Sequence, residues 1–218
     1  MKKKLYFLRH GETDWNLSGK LQGWTDISLN STGREQAFLS AEKLSALSIE
    51  CILTSSLKRA TQTADIINSF LGVPIIEDSA LKELSYGICE GMSKKFISMQ
   101  YAPLLHNMYD ENNPERFNLS LPNGESWNQA ETRVLTFLKH VLADCKEENI
   151  LIVSHGRIIT NLFLTQLQTS IQIGNCGCVS CLYDTNQKTF STPELVLKGF
   201  YKEPPISMTS KGEIYNDI

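Results

Sequence analysis

Short apolar runs alternate with amphipathic stretches along most of the chain, and this alternation predicts strands and helices in turn. Lys4 to Leu8 is an apolar run that ends in polar residues, as a short buried strand does. Near Thr32 apolar residues begin to recur at helical spacing, and Thr32 followed by Glu35 predicts a capping box at that helix start. Further strands are predicted at 51–53, 73–76, 150–153 and 179–183. Further helices are predicted at 57–71, 94–101, 126–144 and 158–167.

This order of elements predicts an α/β fold, a three-layer α/β/α sandwich in which helices cover both faces of a mainly parallel sheet. A length of 218 residues fits a single domain spanning residues 1–218. Three prolines and an Asn-Gly pair interrupt the pattern at 101–126, which predicts loops there. We interpret residues 94–126 as an insertion that serves as a lid. Residues 199–218 lack periodicity and are predicted to form an extended, peripheral tail.

Charge and hydropathy narrow the classes of function. The net charge is −3, whereas a dedicated nucleic-acid-binding protein usually carries a basic excess. The apolar run near the first residue is too short for a signal peptide, and no run is long enough to span a membrane. We therefore expect a cytoplasmic protein with reduced thiols and with neither a nucleic-acid nor a membrane partner.

Three of the six cysteines lie close together, at Cys176, Cys178 and Cys181. A structural zinc site needs four ligands, commonly in two paired units, and the other three cysteines are isolated in the sequence. The cluster also falls in a predicted strand, where thiols pack as small apolar side chains. The cysteines are therefore predicted to be structural, and no metal is expected.

Two histidines directly follow predicted strands, and each precedes a glycine. His10 follows the first strand and His155 follows the strand at 150–153. Because the carboxyl ends of parallel strands meet at one edge of a sheet, these side chains are expected to converge. Arg9 and Arg59 fall at the same edge, and a guanidinium group offers paired donors that match phosphate or carboxylate. The combination indicates an anion site.

A zinc or iron site and a serine hydrolase are the alternative chemistries. The His-Glu-x-x-His and His-x-His spacings are missing, and Arg9 and Arg157 would place positive charge beside the two histidines. A Gly-x-Ser-x-Gly elbow is also missing. Phosphoryl transfer fits better, because a neutral imidazole can attack phosphorus while arginines neutralise the phosphoryl oxygens. A carboxylic acid must then protonate the leaving group, and Glu83 and Glu90 are both candidates.

Four blocks of the sequence resemble the histidine phosphatase superfamily, also called phosphoglycerate-mutase-like. In the family's order, these blocks are Arg9-His10-Gly11-Glu12-Thr13 with Trp15-Asn16, Ser55-Ser56-Leu57 with Arg59-Ala60, Leu81-x-Glu83 with Glu90-Gly91, and Val153-Ser154-His155-Gly156. The resemblance implies the phosphoglycerate-mutase-like sandwich and a reaction that needs no cofactor.

The resemblance also implies a role for each matching residue. His10 would be the phosphorylated nucleophile and Glu83 the proton donor, whereas Glu90 fits a structural position. The catalytic group that holds the phosphoryl moiety would be Arg9, Arg59 and His155. The residues near the substrate would be Asn16, Gln22, Gly23 and Gly156. The chain departs from the family pattern at Ser28, Asn30 and Cys89, which lie outside this set.

The segments 87–91 and 122–126 resemble the phosphatase branch of the family. The arginine pair and proline-rich segment with which mutases grip phosphoglycerate are not recognisable, although Tyr86 stands where mutases also place a tyrosine. We therefore expect a metal-independent phosphomonoesterase that acts through phosphohistidine on a small phosphorylated metabolite. Mutase-type phosphoryl transfer and non-catalytic binding of a phosphorylated ligand are the alternatives. The identity of the substrate and the presence of a homodimer stay open.

Overall fold

A central sheet organises the computed structural model, which describes residues 1–201. Its strands are β1 (Lys2–Arg9), β2 (Cys51–Ser55), β3 (Ile75–Asp78), β4 (Asn149–Ser154), β5 (Cys178–Asp184), β6 (Thr189–Phe190) and β7 (Glu194–Leu197). The order β3-β2-β4-β1 is parallel throughout. β5 pairs with β1 in the antiparallel sense and carries β6 and β7, also antiparallel. The sheet is thus mostly parallel with an antiparallel side, and the predicted α/β fold is confirmed.

Helices cover both faces of this sheet. They are α1 (Asp14–Leu17), α2 (Ser31–Leu44), α3 (Lys58–Leu71), α4 (Lys94–Gln100), α5 (Ala102–Tyr109), α6 (Trp127–Asp144) and α7 (Gly156–Leu167). Successive side chains of β1 point to opposite faces, as strand geometry requires. Leu5 and Phe7 pack in the core beneath α6 and α7, whereas Tyr6 and Leu8 pack beneath α2 and α3. β1 and its neighbours are therefore apolar on both sides, which is why they read as continuous apolar runs.

One helix start and one helix end were predicted from capping residues, and the structure confirms only the end. α2 begins two residues before the predicted capping box, because Asn30 is its N-cap and accepts a hydrogen bond from the Gly33 N–H at 2.8 Å. The Thr32–Glu35 prediction is wrong: asparagine is an equally good cap, and it precedes the threonine. The stop of α3 is confirmed, since Gly72 has a left-handed φ of 64° there.

The predicted insertion at 94–126, hereafter the lid segment, is more helical than expected. Its predicted helix is α4, but α5 follows almost at once, and the expectation of loops from 101 onward is wrong for 102–109. Pro103 suggested a turn, yet it lies in the first turn of α5, where a missing N–H breaks no helical hydrogen bond. Ile97, Leu105 and Leu121 of the segment pack with Leu21 and Cys89, which lie outside it, and these five side chains form a small separate core, hereafter the lid core.

The last described residues add two strands that the sequence pattern did not predict, β6 and β7. Phe200 then pairs with Asn175 through two backbone hydrogen bonds of 3.0 and 2.8 Å. The remainder of the predicted tail, 202–218, lies outside the described residues. The six cysteines are free, and Cys176, Cys178 and Cys181 are buried as predicted. Within residues 1–201, no helix has the length and apolar character needed to cross a membrane.

Candidate active site

The two motif histidines lie side by side at the carboxyl edge of the sheet. β1 ends at Arg9 and β4 ends at Ser154, and these two residues are direct partners in the parallel ladder. His10 and His155 are the next residues in each chain segment, so the ladder brings their rings together with centroids 5.2 Å apart. The convergence expected from the order of strands is therefore present.

His10 is held in one tautomer. Its Nδ1 lies 2.7 Å from the carbonyl oxygen of Gly11, which can only accept, so Nδ1 carries the proton and Nε2 keeps its lone pair. The ring is only 3% exposed. Burial, with the positive charges of Arg59 and Arg9 nearby, holds the pKa of His10 well below its ordinary value. At neutral pH the imidazole is therefore neutral, as a nucleophile must be.

The turn after His10 is fixed by close packing. The Gly11 N–H donates to Thr63 Oγ1 at 3.0 Å, and Asn175 Nδ2 donates to the His10 carbonyl oxygen at 3.0 Å. A Cβ at Gly11 would collide with the backbone of Gly33 at the start of α2, so only glycine fits here. Thr63 and Asn175 support the nucleophile, although the sequence predicted no role in the site for either residue.

Two arginines lie close to the histidine pair, Arg59 fully buried and Arg9 half-buried. Arg59 is 0% exposed and donates to the carbonyl oxygens of Gly23 at 2.7 Å and Thr25 at 3.0 Å. Arg9 donates to the carbonyl oxygen of Ile173 at 2.9 Å. Burial lowers the pKa of Arg59 to about 10 and also lowers the pKa of Arg9. Guanidinium groups stay protonated in proteins, so both side chains are cations at neutral pH. Carbonyl groups orient these cations without neutralising them, which leaves the positive charge for an anion.

His155 adds a third buried nitrogen atom that has no hydrogen-bond partner within residues 1–201. Its Nε2 lies 2.8 Å from Ser55 Oγ at the end of β2, a contact that sequence reasoning missed. Burial is the main cause that holds the pKa of His155 well below its ordinary value, followed by the charge of Arg59. His155 Nδ1, Arg9 Nε and Arg59 Nε have no hydrogen-bond partner among the described residues. Buried polar groups are nearly always paired, so this cluster indicates a binding site for an anion.

Of the two candidate acids, Glu83 stands in this cluster. Its carboxylate accepts from the backbone N–H of Leu84 at 2.9 Å and from that of Arg157 at 3.2 Å, in the first turn of α7. Glu90 is engaged elsewhere, because its oxygens accept from the N–H groups of Trp24, Thr25 and Tyr86 at 2.9, 2.8 and 3.1 Å. Glu90 therefore ties two loops together, as the resemblance implied.

The four predicted substrate-binding residues occupy different positions. Asn16 and Gln22 both contact Thr13, whose hydroxyl donates to the side-chain oxygen of Gln22 at 2.9 Å. Gly23 has a φ of 52°, and a Cβ there would collide with the Glu90 carboxylate. A Cβ at Gly156 would lie 3.2 Å from Arg9 Nε, so this glycine leaves room for the guanidinium group.

Helix α5 adds a contact that the sequence did not suggest. Arg157 donates from Nη2 to the hydroxyl of Tyr109, at the end of α5, over 3.3 Å. The guanidinium also lies over the Tyr109 ring, 5.5 Å from its centroid. The lid segment thus reaches the residue that directly follows the His155-Gly156 pair. The sequence pattern predicted loops at 101–126, so it gave no reason to expect a side chain of this segment at a fixed position beside the site.

Metal-binding side chains are not grouped at this edge. Across residues 1–201, no set of three or more His, Cys, Asp or Glu side chains is arranged to hold a metal ion. The described cluster instead combines two neutral imidazoles, two guanidinium groups and one carboxylate, a set that suits a phosphate ester and its leaving group.

Comparison with known proteins gives a consistent picture. The model of the histidine phosphatase superfamily (branch 1) matches residues 5–193. The uncharacterized phosphatase PhoE of Bacillus subtilis is 40% identical over 73% of this chain and 75% of its own. A probable phosphoglycerate mutase GpmB of Serratia proteamaculans is 32% identical over 80% and 82%.

Two solved structures resemble this chain in fold. YhfR of Bacillus stearothermophilus is 26% identical, with a TM-score of 0.76 over 89% of this chain and 96% of its own. A mycobacterial glucosyl-3-phosphoglycerate phosphatase shares the fold at 22% identity, with a TM-score of 0.78 over 92% and 100%. From its motifs, its fold and these relatives, the chain belongs to the histidine phosphatase superfamily, branch 1.

Proposed function

We propose that this protein hydrolyses phosphomonoesters of small metabolites through a phosphohistidine at His10, without a metal ion. One observation carries the proposal: a buried, neutral His10 has its Nδ1 proton fixed by a carbonyl oxygen and lies beside buried, unpartnered nitrogens of Arg9, Arg59 and His155. A phosphoryl group bound by those nitrogens would meet a nucleophile that is already oriented and deprotonated at Nε2.

In the first step, the Nε2 lone pair of His10 attacks phosphorus and the ester P–O bond breaks. The departing alkoxide takes a proton from the carboxylic acid of Glu83, which yields the free alcohol and a Glu83 carboxylate. Arg9 and Arg59 stabilise the charge on the equatorial oxygens, where a kinase would use magnesium. The proton stays on His10 Nδ1, which donates it in a hydrogen bond to the Gly11 carbonyl oxygen.

In the second step, the Glu83 carboxylate accepts a proton from water while the water oxygen attacks phosphorus. The P–N bond breaks, its electron pair returns to His10 Nε2, and inorganic phosphate leaves. Glu83 is then protonated again and His10 neutral, so the cycle closes without any other reactant.

Phosphoryl transfer to a second substrate molecule, as in a mutase, is the rival proposal. It rests on the GpmB relatives, of which one is 32% identical, whereas the relative at 40% identity is named a phosphatase. The two activities share the first step and differ in what attacks phosphohistidine. If phosphoglycerate exchanges isomers faster than it releases inorganic phosphate, the mutase proposal replaces hydrolysis.

The test is rapid-quench labelling with an isotopically labelled phosphomonoester, followed by peptide mapping in alkali, which preserves phosphohistidine. We expect label on the His10 peptide, and we expect His10→Ala to lose both the label and at least about 10³-fold in turnover. His140→Ala, on an exposed part of α6, is the matched control and should keep both. Label on the His155 peptide, or activity that a chelator abolishes and one divalent metal restores, would overturn the proposal.

A screen of substrates then defines the specificity. Sugar phosphates, phosphoglycerate, phosphoserine and nucleotide phosphates should be compared by release of inorganic phosphate. The same panel separates an enzyme from a binding protein, which would bind phosphorylated ligands without turnover at any pH.

A further inference from the structure

We infer that Arg133 and Glu125 form a positioning pair that holds the acid–base residue Glu83 in place, an inference that rests on the proposed function. Arg133 lies on α6, far from His10 in the sequence, and its guanidinium group reaches across to the segment that carries Glu83. Neither residue belongs to the phosphate cluster. Their role concerns the backbone of Glu83 rather than the substrate.

All five N–H groups of Arg133 are used. Nε and Nη2 each donate to one carboxylate oxygen of Glu125 at 2.8 Å, a bidentate pair. Nη1 donates to the carbonyl oxygens of Ala80 at 2.6 Å and Lys82 at 2.9 Å. The remaining Nη2 donor goes to the carbonyl oxygen of Glu83 itself at 2.9 Å. One side chain therefore holds three carbonyl groups within four residues.

The segment needs such support because it lacks regular structure. After the short 3-10 helix Ser79–Leu81, residues 82–86 belong to no helix or strand. The Glu83 carbonyl oxygen is held by Arg133 and by Trp24 Nε1, the latter at 2.7 Å, rather than by a ladder. The carboxyl group that would protonate the leaving group belongs to this same residue, so fixing the backbone of Glu83 also limits where its side chain can lie.

Glu125 extends the same support by one step. Its backbone N–H donates to the carbonyl oxygen of Ser85 at 2.9 Å, and it immediately precedes Ser126, the N-cap of α6. Both side chains of the pair are mostly buried, 19% and 14% exposed. A mostly buried, bidentate pair anchored at one end of a long helix is much more rigid than a surface ion pair. The helix start thus fixes the position of residues 80–85 relative to the sheet.

Substituting Arg133 with lysine separates the effect of its hydrogen-bond geometry from the effect of its positive charge. Arg133→Lys keeps the positive charge but can no longer hold Glu125 and three carbonyl groups together. A displacement of about 1 Å at a reacting group can cost on the order of 10²-fold in rate. We therefore expect the rate of phosphohistidine formation, measured by rapid quench, to fall about 10- to 100-fold for phosphoserine, whose alkoxide needs a proton, and much less for p-nitrophenyl phosphate. KM should change little, because the phosphate cluster is untouched.

The test measures both substrates in four proteins: wild type, Arg133→Lys, Glu83→Gln and the double variant. If Arg133 acts through Glu83, the double variant is no slower than Glu83→Gln alone. Glu125→Gln should reproduce the leaving-group dependence of Arg133→Lys, and Arg34→Lys, an exposed arginine on α2, should match wild type. Circular dichroism and thermal melts confirm that each variant is folded.

Each result discriminates. Equal losses in the rate of phosphohistidine formation on both substrates, or losses that multiply in the double variant, would overturn the positioning role, since that step alone depends on the leaving group. Turnover without phosphohistidine in wild type would instead overturn the proposed function. A Glu83→Gln variant with no leaving-group dependence would do so as well, because it would deny Glu83 its role as acid.

Discussion

The edge of the main sheet and the lid segment differ in how firmly their residues are held. His10 and His155 directly follow strands that are buried on both faces, and Arg59 lies in the first turn of a helix packed on that sheet. The lid segment contributes three buried side chains to its small core and leaves Phe96 51% and Met99 74% exposed. Regions with few buried contacts open more readily than a central sheet does.

From this difference we expect the two regions to recognise different parts of a substrate. Under the proposed function the phosphoryl group is common to every substrate, and the groups that would bind it stand on the rigid sheet edge. The rest of the substrate varies, and the segment that could contact it is a separate layer reaching the site through Tyr109 and Arg157. Loops and lids on a rigid scaffold commonly carry specificity in this way.

The largest expected effect comes from removing a cation of the sheet edge. Arg59→Met deletes the charge and the donors while keeping an unbranched side chain, so kcat/KM should fall on the order of 10³-fold for every phosphomonoester. Arg116→Met removes an arginine that packs on Phe117 in the lid segment, and we expect little change for p-nitrophenyl phosphate. Steady-state kinetics on both variants measures the contrast. Comparable losses in the two variants would contradict the separate roles assigned to the sheet edge and the lid segment.

A smaller effect is expected from a cavity in the lid core. Leu105→Ala should destabilise the small cluster by about 2–3 kcal/mol, whereas Ile152→Ala removes a similar volume from the main core. Hydrogen exchange read by mass spectrometry should show loss of protection confined to residues 94–109 in the first variant and spread over the sheet in the second. If Leu105→Ala also loosened β1 and β4, the two regions would unfold as one unit.

The third prediction concerns the pH dependence of the free energy of unfolding. Burial, then Arg59, holds the folded-state pKa of His10 and His155 well below 6.5, the ordinary value. Below pH 6.5 the unfolded chain therefore binds protons that the folded chain does not, and the free energy of unfolding falls as pH falls. The contribution is about 1.4 kcal/mol per pH unit for each histidine until its folded pKa is reached.

Urea unfolding between pH 7 and pH 5 measures this slope. His155→Asn should remove about half of the histidine contribution, because one of the two protons is lost. His106→Asn, at an exposed position of the lid segment, is the control and should leave the slope as in wild type. An unchanged slope in His155→Asn would show that the buried histidine does not resist protonation.

Local signals in the sequence were sufficient for strands β1 to β5 and for the cluster of histidines and arginines at their edge. Apolar runs marked the central strands because these strands are buried on both faces, and the polar residues after them had to lie at the carboxyl edge. His10, His155 and Arg9 were found by that rule. Glu83 was separated from Glu90 by resemblance, and the hydrogen bonds of Glu90 now supply the physical reason.

Tertiary structure alone decided which distant groups support those residues. Ser55 meets His155 across 100 positions, and Arg133 reaches the Glu83 carbonyl across 50 positions. Such contacts depend on how helices pack on the sheet. The periodicity of one segment shows which of its faces is apolar, but not which residues of another segment that face contacts. The extra helix α5 was hidden for a related reason, since a proline is compatible with a turn or with the first turn of a helix. Only the packing of Leu105 into the lid core distinguishes the two.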